Sequence, residues 1–119
     1  MSDFSDLIGV PYCKNGRNKK EGFDCYGLVI EAARRDGKQL QDVVYNSYDE
    51  NLADENAPLL NIKQSDIIKA GCIIEMRRNG KLHIGYALNS KTMLHCTENQ
   101  GVRVSAINKN IVHGIYEVV

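Results

Sequence analysis

The stretch LHIGYALNSKTMLHCTE, residues 82–98, reads as two strands joined by a turn: LHIGYALN, a break near Asn89–Lys91, then TMLHCTE. Its register matters more than its existence. Side chains on a strand alternate between faces, so His83, Gly85 and Ala87 share one side and Ile84, Tyr86 and Leu88 the other. A two-residue loop at Ser90-Lys91 pairs Tyr86 with His95 and puts the two histidines on opposite faces. An odd loop, Asn89-Ser90-Lys91, pairs Gly85 with His95 instead. The histidines are then diagonal neighbours, roughly 7–8 Å apart along the backbone and within side-chain reach. Three-residue hairpin loops are common. Glycine and alanine beside His83 are expected to leave that face open to a substrate or a helix end, with Ile84, Tyr86 and Leu88 turned to a core.

Further strands flank this hairpin. IIEMRR (73–78) leads into the turn Asn79-Gly80, and Asn99–Gly101 leads into VRVSAI (102–107) and then HGIYEVV (113–119). Upstream the pattern is helical. Residues 2–8 suit a short helix capped by Ser2 and closed by Gly9 and Pro11. CKNGRNKKEGF (13–23) is polar and glycine-punctuated, an exposed loop. From Asp24 the apolar residues Tyr26, Leu28, Val29, Ile30, Ala32 and Ala33 oppose Glu31, Arg34, Arg35 and Asp36, with Gly37 as a stop. This predicts a helix over 24–36 with Asp24 as N-cap and Cys25 as its first residue. Residues 38–63 are rich in Asn, Asp and Glu and suit a helical turn or two; a short helix is expected at 64–69. Helices first and a meander of strands last predict an α+β fold, N-terminal helices packed on a C-terminal antiparallel sheet.

A chain of 119 residues implies a single domain over 1–119. Fifteen basic and fifteen acidic residues cancel, so no overall field draws the chain to nucleic acid or an anionic membrane. The run RNKK (17–20) reads as a solvated loop. No apolar run approaches the ~20 residues that span a bilayer. MSDFSDLIGVPYC has neither the basic nor the apolar region of a signal peptide, so synthesis in the cytoplasm is expected. Without that signal, the four cysteines at 13, 25, 72 and 96 do not argue for disulfides. No C-x-x-C pair exists; a zinc site would have to draw together Cys25, His83, His95 and Cys96. No metal or other cofactor is expected.

Cys25 stands apart from the other cysteines. A thiol at a helix start feels the positive end of the macrodipole, which favours thiolate. Nucleophilic thiol chemistry also needs a base and a group that orients the base. His83 and His95, on one face in the odd-loop register, supply that pair. Cys13, Cys72 and Cys96 read as small buried hydrophobes, and His113 as a core or surface histidine.

These residues resemble a known family. GVPYCKNG…GFDCYGLV followed by HIGYALNSKTMLHC looks like the NlpC/P60 cysteine peptidases, papain-like hydrolases of bacterial cell-wall peptides. The family pattern is G-x-x-Y, a glycine-bearing loop, D-C-S-G at a helix start, H-x-G-x-Y on a strand and a second histidine on the next. Gly9 and Tyr12, Asp24-Cys25-x-Gly27, His83-x-Gly85 with Tyr86 one position early, and His95 answer to it over residues 8–117, with 38–63 unmatched. Cysteine before histidine is the family's order; related permuted folds reverse it.

The resemblance implies Cys25 as nucleophile, His83 as general base and then acid, and His95 as the residue orienting His83. It places Tyr12 near Cys25 for substrate or oxyanion binding, and Asp24 and Tyr26 at the substrate end. The implied reaction is hydrolysis of an amide in peptidoglycan stem peptides. Tyr26 replaces the family's usual serine, which helps recognise a free peptide amine. That change, the short chain and the absent signal peptide look more like the phage tail-associated branch. Such an enzyme is carried to the periplasm or cell wall by a virion or another apparatus, with a phage tail or secretion-apparatus protein as partner. Two alternatives remain open. One is an assembly or binding module that keeps the fold without catalysis; the other is an acyl-transfer enzyme with the same triad.

Overall fold

The computed structural model describes residues 3–41, 61–78 and 81–119. The expected turn at Asn79-Gly80 and most of the 38–63 segment, with its helical turns, lie outside the described residues. One α-helix, α1 (Cys25–Arg35), occurs among the described residues. A small hairpin precedes it, β1 (Arg17–Asn18) with β2 (Gly22–Phe23). After it come β3 (Ile62–Gln64), β4 (Ile73–Arg78), β5 (Lys81–Ala87), β6 (Thr92–Thr97), β7 (Gly101–Ala106) and β8 (Val112–Val118). These form a six-stranded antiparallel sheet ordered β3-β8-β4-β5-β6-β7.

The expected α1 is present with its cap. Asp24 is extended and its carboxylate accepts the Gly27 N–H, as an N-cap requires. At the other end Gly37 takes φ +80° and the Lys38 N–H reaches the Ala33 carbonyl. Arg34 and Arg35 occupy the last turn, where cations suit the macrodipole, and both bind Glu31.

The other expected helices do not form. Residues 5–7 make a single 3-10 turn because Phe4 offers no side-chain cap and Ile8 is already extended. Residues 64–69 are not helical either. Gln64 pairs with Tyr116 of β8, and Ser65 donates to the Ile115 carbonyl at 2.8 Å. Sheet pairing outweighs the local preference there. Residues 13–23 are more ordered than a loop: the β1–β2 hairpin ends in Phe23, which is fully buried and exchanges bonds with Pro11 and Cys13.

The expected strands from β4 to β7 form the expected meander. β8 breaks it, returning across the sheet to pair with β4 and β3. The crossing segment carries Ile107 and Ile111 onto the sheet's second apolar cluster, Cys72, Ile74, Met76, Ala87 and Met93. That burial gives the crossing its driving force. The first cluster lies on the opposite face, where Ile73, Ile84, Tyr86, Leu94, Cys96 and Val102 meet Leu28, Val29, Ala32 and Ala33 of α1. Ile84 and Tyr86 thus face the core as expected.

Candidate active site

The β5–β6 hairpin adopts the odd register. Gly85 lies opposite His95, and the Leu88 N–H closes the loop on the Thr92 carbonyl at 2.9 Å. Asn89 fixes the loop at three residues because its Oδ1 accepts the N–H groups of Lys91 and Thr92, each at 2.8 Å. The diagonal histidines meet: His83 Nε2 and His95 Nδ1 are 2.8 Å apart. A second bond extends the line, with Ser105 Oγ of β7 2.8 Å from His95 Nε2. His95 is buried, and His83 is half-buried.

The face around the pair is filled, contrary to the expectation of an open side. Ala87 is buried, and a Cβ on Gly85 would stand 2.8 Å from Met93 Sδ and 3.4 Å from His95 Cβ. Glycine is needed here for packing, so that the His95 side chain can lie across β5.

Room arises elsewhere. β5 and β6 pair from Ala87↔Met93 only to Gly85↔His95. Beyond that point β5 continues with β4 to Lys81, and β6 continues with β7 to Thr97. The sheet is therefore split between the start of β5, which carries His83, and the end of β6. The helix start is tied to the β6 side of this split: Cys96 Sγ donates to the Phe23 carbonyl at 3.1 Å, two residues before Cys25. α1 packs across both β5 and β6.

Around Cys25 the polar groups are closely matched. Asp24 Oδ1 accepts the Gly27 N–H at 2.7 Å and Arg17 Nη1 at 2.8 Å, and Oδ2 accepts the Asn15 N–H at 3.1 Å. The same arginine lies 5.7 Å from the Tyr26 ring centroid. Arg17 is thus a structural ion-pair partner, not part of a solvated basic loop. Gly27 is required at its position because a Cβ there would fall 2.0 Å from the Gly16 carbonyl oxygen. Tyr26 is buried, its hydroxyl donating to the Gln41 carbonyl. Tyr12 is half-buried against the first cluster, and its backbone bridges to Phe23 beside the helix start. Cys25 itself is 3% exposed.

The cysteines differ in environment. All four are free. Burial, with Cys25 and Asp24 nearby, pushes the Cys96 thiol up to about 12, so this thiol stays protonated and acts as a buried hydrophobe with one hydrogen bond. Cys72 is likewise buried, donating to the Ile67 carbonyl at 3.6 Å, whereas Cys13 is partly exposed. Among the described residues no group of His, Cys, Asp or Glu is arranged to hold a metal ion, so Cys25, His83, His95 and Cys96 do not assemble as a zinc site. Among them too, no helix is long and apolar enough to cross a membrane. His113 lies beside Arg77 and the buried Glu75, away from the His83–His95 line.

Two neighbours of the site escaped the sequence reading. Arg17 sits in a basic run whose composition reads as solvated, and its partner Asp24 lies seven residues on. Ser105 becomes visible only once β6 and β7 are placed in register, Met93↔Ser105 and His95↔Arg103.

A helix packed on a six-stranded antiparallel sheet defines the fold class. Solved structures agree. The chain superimposes with TM-score 0.68 and 18% identity on an NLP/P60-family protein similar to lipoprotein from Staphylococcus aureus subsp. aureus Mu50, covering 95% of this chain but only 38% of that one. It matches the NlpC/p60 domain of the peptidoglycan hydrolase SagA with TM-score 0.64 and 20% identity, covering 93% of this chain and 89% of that one. It also matches the P60 domain of an antigen from M. avium subspecies paratuberculosis, with TM-score 0.63 and 18% identity over 98% and 89% of the two chains. The chain belongs to the NlpC/P60 family, whose sequence pattern matches residues 9–117. No curated protein sequence matches it.

Proposed function

We propose that this protein is a cysteine peptidase that hydrolyses an amide bond in peptidoglycan stem peptides, with Cys25 as nucleophile, His83 as base and His95 as the residue orienting it. The observation that carries the reading is the His83–His95 bond of 2.8 Å in a hairpin whose register brings the histidines together. Family membership and the likeness to the domain of the peptidoglycan hydrolase SagA support peptidoglycan as the substrate class.

The chemistry follows from which nitrogen is committed. His83 Nε2 is engaged with His95, so Nδ1 is the nitrogen that takes the Cys25 proton. The thiolate attacks the carbonyl carbon, forming a C–S bond and an oxyanion that the N-terminus of α1 stabilises. His83 returns the proton to the leaving amine as the C–N bond breaks. Water, deprotonated by the same histidine, then cleaves the thioester and regenerates the thiol. In this scheme Tyr12 lines the helix-start side of the cleft. Asp24, engaged by three donors, supports catalysis by holding the cap and Arg17 at the substrate end. Tyr26 narrows the same end by packing. Its presence where the family pattern has serine supports the finer reading of a phage tail-associated enzyme brought to the wall by a protein partner. Co-sedimentation with tail particles tests that reading.

One observation favours a second reading. Cys25 at 3% exposure suits a binding or assembly module that keeps the fold without catalysis. Digestion of purified muropeptides, followed by mass spectrometry, separates the two. Peptidase action releases new peptide termini, and Cys25→Ser abolishes the release. No cleavage by the folded wild-type chain sinks the peptidase reading. An acyl-transfer enzyme using the same triad would instead leave an acceptor-linked product in the presence of amines.

A further inference from the structure

Neutral imidazole carries its proton on one nitrogen, and the bond made by the other decides which. For His83 to accept a proton at Nδ1, its own proton must sit on Nε2 and point at His95. His95 Nδ1 must then be the acceptor, and the His95 proton must sit on Nε2. The atom that faces His95 Nε2 is Ser105 Oγ, at 2.8 Å. A hydroxyl both donates and accepts, so it can take this proton and send its own toward solvent at the half-exposed edge strand β7. We infer that Ser105 is a positioning residue of this site: as hydrogen-bond acceptor it holds His95 in the Nε2–H tautomer, which holds His83 in the tautomer able to deprotonate Cys25.

Other charges on this face point the same way. Among the described residues, His83 lies diagonal to His95 on β5 and Arg103 directly across on β7. A cation on that side works against a second positive charge on His95, and it is in the neutral ring that the tautomer matters. When His83 becomes imidazolium beside the Cys25 thiolate, its Nε2–H bond to His95 Nδ1 becomes charge-assisted and strengthens. Without Ser105, the His95 Nε2–H loses this acceptor inside the protein, a cost that a bare ring nitrogen there bears less, and the reversed line becomes competitive. His95 then donates from Nδ1 to His83 Nε2, and His83 is protonated on the nitrogen that should receive the thiol's proton.

The inference rests on the peptidase reading for its consequence but not for its tautomer. Two readouts on the intact chain separate them: ¹⁵N chemical shifts of the His95 and His83 ring nitrogens, and the pH profile of Cys25 alkylation by iodoacetamide. Wild-type protein, Ser105→Ala, Ser105→Thr and His83→Ala are compared. Wild-type His95 is expected as the Nε2–H form, Ser105→Ala to populate the Nδ1–H form, and Ser105→Thr, which keeps the hydroxyl, to restore the wild-type pattern. Alkylation of Cys25 near pH 6 is expected to slow about tenfold in Ser105→Ala and to recover within about twofold in Ser105→Thr, the scale of losing a group that orients a working histidine. An unchanged His95 tautomer in Ser105→Ala, or an Nδ1–H form in the wild type, overturns the inference. If the tautomer follows Ser105 while Cys25 reacts no faster than Cys13 and ignores His83→Ala, the peptidase reading falls and the tautomer assignment stands.

Discussion

The two flanks of β5 are built from similar residues and end differently. On one side β5 pairs with β4 along its whole length, from Tyr86↔Ile73 to Lys81↔Arg78, and His83 sits opposite the buried Met76. On the other, pairing with β6 stops at Gly85↔His95, and His83 lies beyond the last pair. A closed ladder satisfies backbone groups and packs side chains. An interrupted one leaves a histidine beyond the last pair, anchored through its neighbour. The difference marks where the candidate site lies: at the point where β5–β6 pairing ends, with the closed flank supplying rigidity.

The comparison can be broken most severely by substitutions at the split. Cys25→Ser and His83→Ala are each expected to lower muropeptide hydrolysis by about 10³-fold or more while leaving the thermal unfolding transition in place. Met76→Leu, on the closed flank opposite His83, should change the rate by less than about twofold and stability by less than about 1.5 kcal/mol. Equal kinetic effects on both sides would erase the distinction. Next in size is Gly27→Ala. Its Cβ would lie 2.0 Å from the Gly16 carbonyl, so the first turn of α1 must shift. A loss of about 3 kcal/mol in urea unfolding is expected, with Cys25 reactivity disturbed in whatever folds.

Smaller effects belong to the closed flank and to pH. Ile74→Val, in the fully buried part of β4, should cost about 1 kcal/mol in urea unfolding and leave the Cys25 alkylation rate unchanged. Acid should weaken the far end of α1. Glu31 is opposed by its own burial, but hydrogen bonds and charge from Arg34 and Arg35 win and hold it below 4.5; the Arg35 hydrogen bond holds Asp6 below 3.8. A depressed carboxylate contributes stability above its unfolded value and loses it as pH falls. Thermal stability should therefore decline below about pH 4.5, and more shallowly in Asp6→Asn. At the opposite extreme the raised Cys96 thiol contributes stability that declines as pH climbs from 9 toward 12, and Cys96→Ala should remove that part of the slope.

Much of the site was legible in the sequence because its signals are local. Asp24 before Cys25 and a glycine two residues on announce a capped helix start, and period-two alternation with a three-residue loop is enough to join His83 to His95. What could not be read was set by distant pairing. The segment 64–69 has the composition of a helix turn, but β8 claims Gln64 and Ser65, and β8 itself leaves the meander because Ile107 and Ile111 bury on the second cluster. Gly85 looked like open space and proved to be the floor on which Met93 and His95 rest. Arg17, read as solvated, is held by a buried carboxylate that nothing in its own neighbourhood of sequence reveals.

The central claim is that Cys25 and His83 form one chemical unit across the split sheet. Alkylating the folded protein with iodoacetamide from pH 4 to 9, with modification mapped at each cysteine by mass spectrometry, tests it directly. The account expects Cys25 to react selectively well below the ~8.5 of a free thiol, and His83→Ala to move that profile upward. A Cys25 that is inert, or that titrates like Cys13 with and without His83, would contradict it.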